Sequence, residues 1–123
     1  MAKRDARKQT GNQGEQIAAQ YLSNQGYRIV KQNWRCSVGE VDLIVQNEEF
    51  LVFVEVRTRR GSRFGTAEES ITATKQARLV ELAQTYLQQY DVSISQAWRI
   101  DVIAIQLTQG TPVINHIENA VGW

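Results

Sequence analysis

The sequence predicts an α/β domain: a mixed sheet lying between helices, an α/β sandwich. Three observations predict it. Five short runs rich in Val, Ile, Leu and Phe have the length of strands. Two segments carry apolar residues at helical spacing. Their order along the chain, α-β-β-β-α-β-β, together with the nearly continuous apolar runs, is that of a sheet covered on both faces.

Residues 12–25 read as the first helix. Ile17, Ala18, Tyr21 and Leu22 fall on one stripe, and Gly26 is a natural stop. Asn12 precedes Glu15 by three residues, which resembles a capping arrangement; a first-turn Glu there can also face the sheet. Residues 27–33 form a strand. Residues 39–46 and 50–57 form two strands around "QNEE", the strongest hairpin signal in the chain. "TRRGSRFGT" reads as a polar loop. Residues 72–90 form a long helix with Val80, Ala83, Tyr86, Leu87 and Tyr90 on one stripe. "WRIDVIAI" (98–105) and "PVINHIE" (112–118) are two more strands. No repeat or linker divides the chain, so the reading is one domain over residues 11–123 behind a basic, flexible tail at 1–10.

The chain has 123 residues, the length of one domain with one real core. At 42% hydrophobic and 22% charged residues, it is expected to fold rather than stay disordered. No apolar run approaches ~20 residues, so no membrane partner is expected. The basic N-terminus lacks an apolar segment and is not read as a secretory signal. Cys36 is the single cysteine, which excludes an internal disulfide and a Cys-based zinc site and fits a reducing cytoplasm. The net charge is only +1, but eight of the 14 basic residues fall in two short segments. Lys3, Arg4, Arg7 and Lys8 form one; Arg57, Arg59, Arg60 and Arg63 form the other. Such clusters can neutralise phosphates, or they can be a solvated tail and loop.

The stretch "GEVDLIVQNEEFLVFVEVRTR" (39–59) places Glu40, Asp42 and Glu55 in what otherwise reads as buried sheet. A carboxylate taken from water costs several kcal/mol unless it is paired or bound to a metal. Side chains alternate along a strand, so Glu40, Asp42 and Ile44 share one face, as do Phe53, Glu55 and Arg57. A two- or four-residue loop puts Asp42 and Glu55 on the same face. With the four-residue loop, Asn47 to Phe50, Asp42 lies directly opposite Glu55 and Glu40 opposite Arg57. With the two-residue loop, Asp42 and Glu55 are diagonal neighbours. Opposed residues have Cβ atoms ~5 Å apart, where like charges repel unless a proton or cation is shared. Mg²⁺, a hard cation bound by carboxylates and water, fits such a pair. The competing reading is an exposed strand end with a Glu40–Arg57 ion pair.

These residues carry a resemblance. "GE" at 14–15, "GEVDLIV" at 39–45, "FVEVRTR" at 53–59, "ITATKQARL" at 71–79 and "RIDVIAI" at 99–105 resemble the YraN family, from about residue 11 to the C-terminus. That family belongs to the PD-(D/E)XK nuclease superfamily, so the resemblance implies a restriction-endonuclease-like fold. The early Glu and the hairpin are also similar to archaeal Holliday-junction resolvases, whose likeness implies a homodimer; the residues themselves show no self-complementary surface. By resemblance, Asp42, Glu55 and the extra acidic Glu15 are metal ligands and catalytic residues for Mg²⁺ or Mn²⁺. Glu40 would contribute through water and the Val56 carbonyl as a further ligand. Arg57 stands where the superfamily usually has Lys. A guanidinium cannot be deprotonated in a protein, so Arg57 cannot be a general base, though it can hold a phosphate or stabilise developing charge. Lys75 is a candidate stand-in, with Gln76 beside it matching the family's "KQ". Arg59, Arg60, Arg63, Gln76, Lys3 and Arg4 are the candidate nucleic-acid contacts, DNA being the expected partner.

The function these readings imply is metal-dependent hydrolysis of DNA phosphodiester bonds by an endonuclease. The alternatives are a non-cleaving nucleic-acid-binding module on a nuclease fold, and a protein scaffold with solvated hairpin charges. Asp101 reads as a strand-end residue paired to Arg99. His116, the only histidine, reads as structural, since one His cannot make a two-His metal site. Trp34, Trp98 and Trp123 read as packing residues. Phe64 sits among Arg60, Arg63 and Gly65, where it could meet a base, although packing is its commoner role.

Overall fold

The computed structural model describes residues 2–60 and 71–121, with backbone alone for 2–7. Its elements are α1 (Ala2–Asn24), β1 (Arg28–Arg35), β2 (Glu40–Gln46), β3 (Leu51–Arg60), α2 (Ala73–Gln89), β4 (Trp98–Leu107) and β5 (Val113–Ile117). The predicted order and number of elements are those observed. The five strands form one sheet in the order β1-β2-β3-β4-β5. β3 and β4 are parallel and the other neighbours antiparallel, so the sheet is mixed. Parallel neighbours need a crossover connection, and α2 lies in it.

Helices cover both faces. One core joins Leu79, Leu82, Ala83 and Tyr86 of α2 to Ile44, Phe53 and Ile100. The other joins Ala18 and Leu22 of α1 to Leu43, Val45, Val52, Val54, Ile103 and Ile105. On β3 the partition follows strand alternation: Phe53 faces α2, while Val52 and Val54 face α1. The aromatic groups Trp34, Phe53, Tyr86 and Trp98 meet edge to face in the α2 core, which bears out packing roles for Trp34 and Trp98. Trp123 and Phe64 lie outside the described residues. Among the described residues, no helix is long and apolar enough to cross a membrane.

Two helix starts illustrate different physics. α2 begins where Thr72 caps it: the Thr72 hydroxyl accepts from the Lys75 N–H at 3.1 Å. α1 begins ten residues earlier than the apolar stripe suggests. Ala, Lys, Arg and Gln are good helix formers, and nothing in 2–10 breaks the helix, so it runs on without an apolar face. Asn12 is therefore inside a helix and is not its cap, and the basic segment expected as a tail is helical from Ala2. The helix ends as expected, with Gly26 at φ +97° in the left-handed region that glycine adopts freely.

β3 is also longer than expected. Thr58 to Arg60 continue the strand, paired with Ile105 to Leu107 of β4, so Arg59 and Arg60 are strand residues and not loop residues. β4 supplies the partner that keeps them extended.

The candidate metal and phosphate cleft

The β2–β3 turn resolves the register. Asn47 N–H donates to the Phe50 carbonyl at 3.0 Å, and Asn47 Oδ1 accepts from the Glu49 and Phe50 N–H groups at 2.9 and 2.7 Å. This is the four-residue loop. The ladder then runs Gln46↔Leu51, Val45↔Val52, Ile44↔Phe53, Leu43↔Val54, which makes Asp42 and Glu55 the next opposed pair.

The backbone ladder stops just before that pair. Beyond Leu43, β2 stays with β1 as far as Arg35↔Glu40; beyond Val54, β3 stays with β4 as far as Arg60↔Leu107. The sheet forks, and Asp42 fills the crotch. Its Oδ2 accepts from the Val56 N–H at 2.8 Å, so a side chain takes the hydrogen bond that a β2 carbonyl would have taken. The fork also corrects one expectation. β2 and β3 part before Glu40 and Arg57 could register as a cross-strand pair; Glu40 registers with Arg35 of β1, and Arg35 Nε lies 3.7 Å from Glu40 Oε1. Arg57 Nε instead lies 4.0 Å from Glu55 Oε2 along its own strand.

Glu15 reaches the same region from the other face because α1 sits flush on β3. Gly14 is buried against Thr58: a Cβ on residue 14 would lie 1.8 Å from Thr58 Oγ1. Gly14, Ala18 and Leu22 form the buried stripe of the helix, and Glu15 follows at its edge. The Asn33 amide joins the group. In the orientation that satisfies its neighbours, its nitrogen lies 2.9 Å from both Glu15 Oε1 and Glu40 Oε1.

Four carboxylates, Glu15, Glu40, Asp42 and Glu55, are thus electrostatic neighbours. Burial, then the charge of Glu55, then those of Glu15 and Glu40, push the Asp42 carboxyl up to about 7, against the pull of the Val56 N–H. Burial and the charges of Glu40 and Glu55 raise Glu15, opposed by its bond from Asn33. Among the described residues, however, no three His, Cys, Asp or Glu side chains surround one metal position. Glu15 is brought near Asp42 and Glu55 without converging with them on one point. The set fits an ion held by two carboxylates and completed by water and substrate oxygens, which is how Mg²⁺ is usually bound.

Beside the carboxylates opens a cleft of about 480 Å³, lined by Gly39, Glu40, Glu55, Arg57, the first two turns of α2 and its Leu79 and Leu82. Lys75 and Arg78 stand on its α2 wall and Arg57 on its sheet wall. Lys75 is thereby placed across from Glu55 and Arg57. Gln76 turns back on its own helix end, donating to the Ile71 carbonyl at 3.4 Å. Arg60 binds α1, donating to Thr10 Oγ1 at 2.7 Å and Gln13 Oε1 at 3.1 Å. Arg59 is exposed, on the face shared with Glu55 and Arg57. Lys3 and Arg4 lie on the first turn of α1, and Arg63 lies outside the described residues.

Asp101 is separate. It is fully buried in mid-strand rather than at a strand end. It accepts from Arg99 Nε at 2.9 Å and from the Asn119 N–H at 3.0 Å, and it lies 2.7 Å from His116 Nε2. His116 Nδ1 is in turn 3.0 Å from the Tyr21 hydroxyl, and Arg99 reaches the Tyr27 hydroxyl. Burial alone would raise the Asp101 carboxyl, but the bonds from His116, Arg99 and Asn119 overcome it and hold it below the usual range. The network ties α1, β4 and β5 together and leaves His116 structural, as read from the sequence.

Sequence reasoning missed Asn33 and the close approach at Gly14. Asn33 had a signal, since Asn is disfavoured within strands and stands there between Gln32 and Trp34.

Fold and site together define a small mixed α/β protein with an acidic cluster at a fork in its sheet and a cationic cleft beside it. Residues 14–105 match the model of the uncharacterised protein family UPF0102, and the chain belongs to that family, in line with the YraN resemblance of its motifs. UPF0102 proteins of Herpetosiphon aurantiacus and Chloroflexus aurantiacus are 45% and 46% identical over 117 residues, covering 93% and 94% of this chain and 94% and 95% of theirs. That of Pseudomonas savastanoi pv. phaseolicola is 44% identical over 118 residues, 95% of this chain and 96% of its own.

Proposed function

We propose that this chain is a metal-dependent nuclease of the PD-(D/E)XK type, hydrolysing phosphodiester bonds of DNA. The observation that carries the reading is the Asp42–Glu55 pair at the fork, with Asp42 pushed up to about 7 by burial and unrelieved negative charge. Such a pair, held apart from the backbone ladder, is suited to a divalent cation.

Asp42 and Glu55 would hold Mg²⁺ or Mn²⁺, with Glu15 and Glu40 acting through water. The N–H and C=O of a strand residue point to the same side, so the Val56 carbonyl turns toward the fork with its N–H and is a further donor. The bound cation supplies Lewis-acid polarisation of the phosphodiester and a water of lowered pKa. The protein's own groups do the rest. Arg57 and Lys75 face each other across the cleft and grip the phosphate oxygens from two sides. The α2 N-terminus adds its dipole to the same anion. Lys75, with its single flexible ammonium, orients the attacking water, a task the fixed charge of Arg57 cannot extend to proton removal. Arg59 meets a flanking phosphate.

A second reading, a non-cleaving DNA-binding module, is favoured by Arg57 standing in the usual Lys position. Cleavage of linear, branched and single-stranded DNA with Mg²⁺ or Mn²⁺ tests the choice. The nuclease reading expects metal-dependent cleavage, retained in Arg57→Lys and lowered on the order of 10²–10³-fold in Arg57→Ala. Lys75→Ala is the more damaging change if Lys75 handles the water. DNA binding without cleavage, in wild type and in Arg57→Lys alike, establishes the module instead.

A further inference from the structure

We propose that Asn33 is a positioning residue that holds Glu15 in place beside the Asp42–Glu55 pair. The inference rests on the metal-site reading given above.

Asn33 lies in β1 between Gln32 and Trp34, which register with Leu43 and Val41, so it stands across from Asp42. Its backbone leaves the strand conformation, with φ +51°. Non-glycine residues avoid that region, and Asn and Asp tolerate it best. Its amide group offers two N–H donors, and two carboxylates lie 2.9 Å from its nitrogen: Glu15 from α1 and Glu40 from β2. One neutral side chain thus ties two anions from different elements with charge-assisted hydrogen bonds. That tie opposes a real repulsion, since Glu40 and Glu55 both act electrostatically on Glu15. Arg35 reaches Glu40 only at 3.7 Å from an exposed position. A donor that orients a carboxylate beside a metal site acts through that carboxylate, and its loss costs typically 10–100-fold in metal affinity. Asn33 is at the exposed rim, which places the expected loss at the low end, about 10-fold.

Asn33→Gly removes the amide while suiting the left-handed backbone, so the fold is retained. Mn²⁺ affinity is measured calorimetrically for wild type, Asn33→Gly, Glu15→Gln and the double variant, with metal-free melting temperatures as a control. The expected result is a ~10-fold weaker Mn²⁺ affinity in Asn33→Gly and no further loss when it is added to Glu15→Gln. Wild-type affinity in Asn33→Gly, or an equal loss in both backgrounds, overturns the positioning role while leaving the metal site standing. Wild type that binds no Mn²⁺ overturns the metal-site reading itself, and this inference with it. Should Asn33→Gly fail to fold, the wild-type Asn33 side-chain NH₂ signals decide by NMR. Protected protons that shift on Mg²⁺ addition support the role; exchanging protons indifferent to Mg²⁺ overturn it.

Discussion

Replacing Asp42 by asparagine should make the metal-free protein more stable, although it removes a central residue of the site. Asp42 is lifted from 3.8 to about 7, chiefly by burial and by Glu55. A folded-state value above the unfolded one means that the folded chain holds the proton more tightly. Stability therefore falls as pH rises from about 4 to about 7 and is lowest once the carboxylate is fully ionised. A displacement of that size corresponds to a penalty of roughly 4 kcal/mol, an upper bound because neighbouring carboxylates share the relief. The side-chain amide introduced by D42N keeps an oxygen to accept from the Val56 N–H, so the strand geometry survives. Urea melts in EDTA at pH 5 and pH 8 measure the effect. At pH 8 the variant should gain up to that amount, on the order of 10 °C in melting temperature; at pH 5 the gain should shrink. Saturating Mg²⁺ should narrow the gap, since cation at 100 times Kd stabilises wild type alone by about 2.7 kcal/mol. A gain equal at both pH values, or none at pH 8, would refute the reasoning.

Other perturbations separate the scaffold from the site. Gly14→Ala drives a Cβ into Thr58 and should cost about 1–3 kcal/mol by denaturant melts, with Thr58→Ala in the same chain recovering part of it. Asp101→Ala leaves Arg99 and His116 facing an empty position and should cost about 3–5 kcal/mol. Because Asp101 is held below its usual value, its contribution is present above pH 3.8 and lost as pH falls further, so the wild-type and variant melting curves should converge only in strong acid. Arg59→Ala should flatten the salt dependence of DNA affinity, whereas Arg60→Ala, by releasing Thr10 and Gln13, should show mainly as lower stability.

The fold was legible because periodicity and punctuation agreed. Gly26 stopped one helix, and the apolar runs marked every strand. The Asp42–Glu55 opposition was legible too, since "QNEE" admits few loop lengths and strand alternation does the rest. What escaped notice depends on contacts distant in sequence. β3 runs to Arg60 because β4 lies beside it, and α1 begins at Ala2 without any apolar stripe to announce it. The fork arises because Asp42's side chain replaces a backbone partner, a substitution no periodicity encodes. Glu15's place depends on a missing Cβ at residue 14, and Asn33's on a left-handed backbone inside a strand.

The fork makes the sheet a pair of tweezers. One arm is the β1–β2 hairpin, carrying Asn33, Glu40 and Asp42; the other is β3 with β4, carrying Glu55 and Arg57; they part just beyond the last paired rung, Leu43↔Val54. Asp42 on the Val56 N–H ties the two arms together at the crotch. Separation of the two carboxylates is therefore a mechanical variable, set by how far the arms open. Anything that bridges the tips stiffens the whole sheet from its open end, and the exchange rate of the Val56 amide proton reads that stiffness directly.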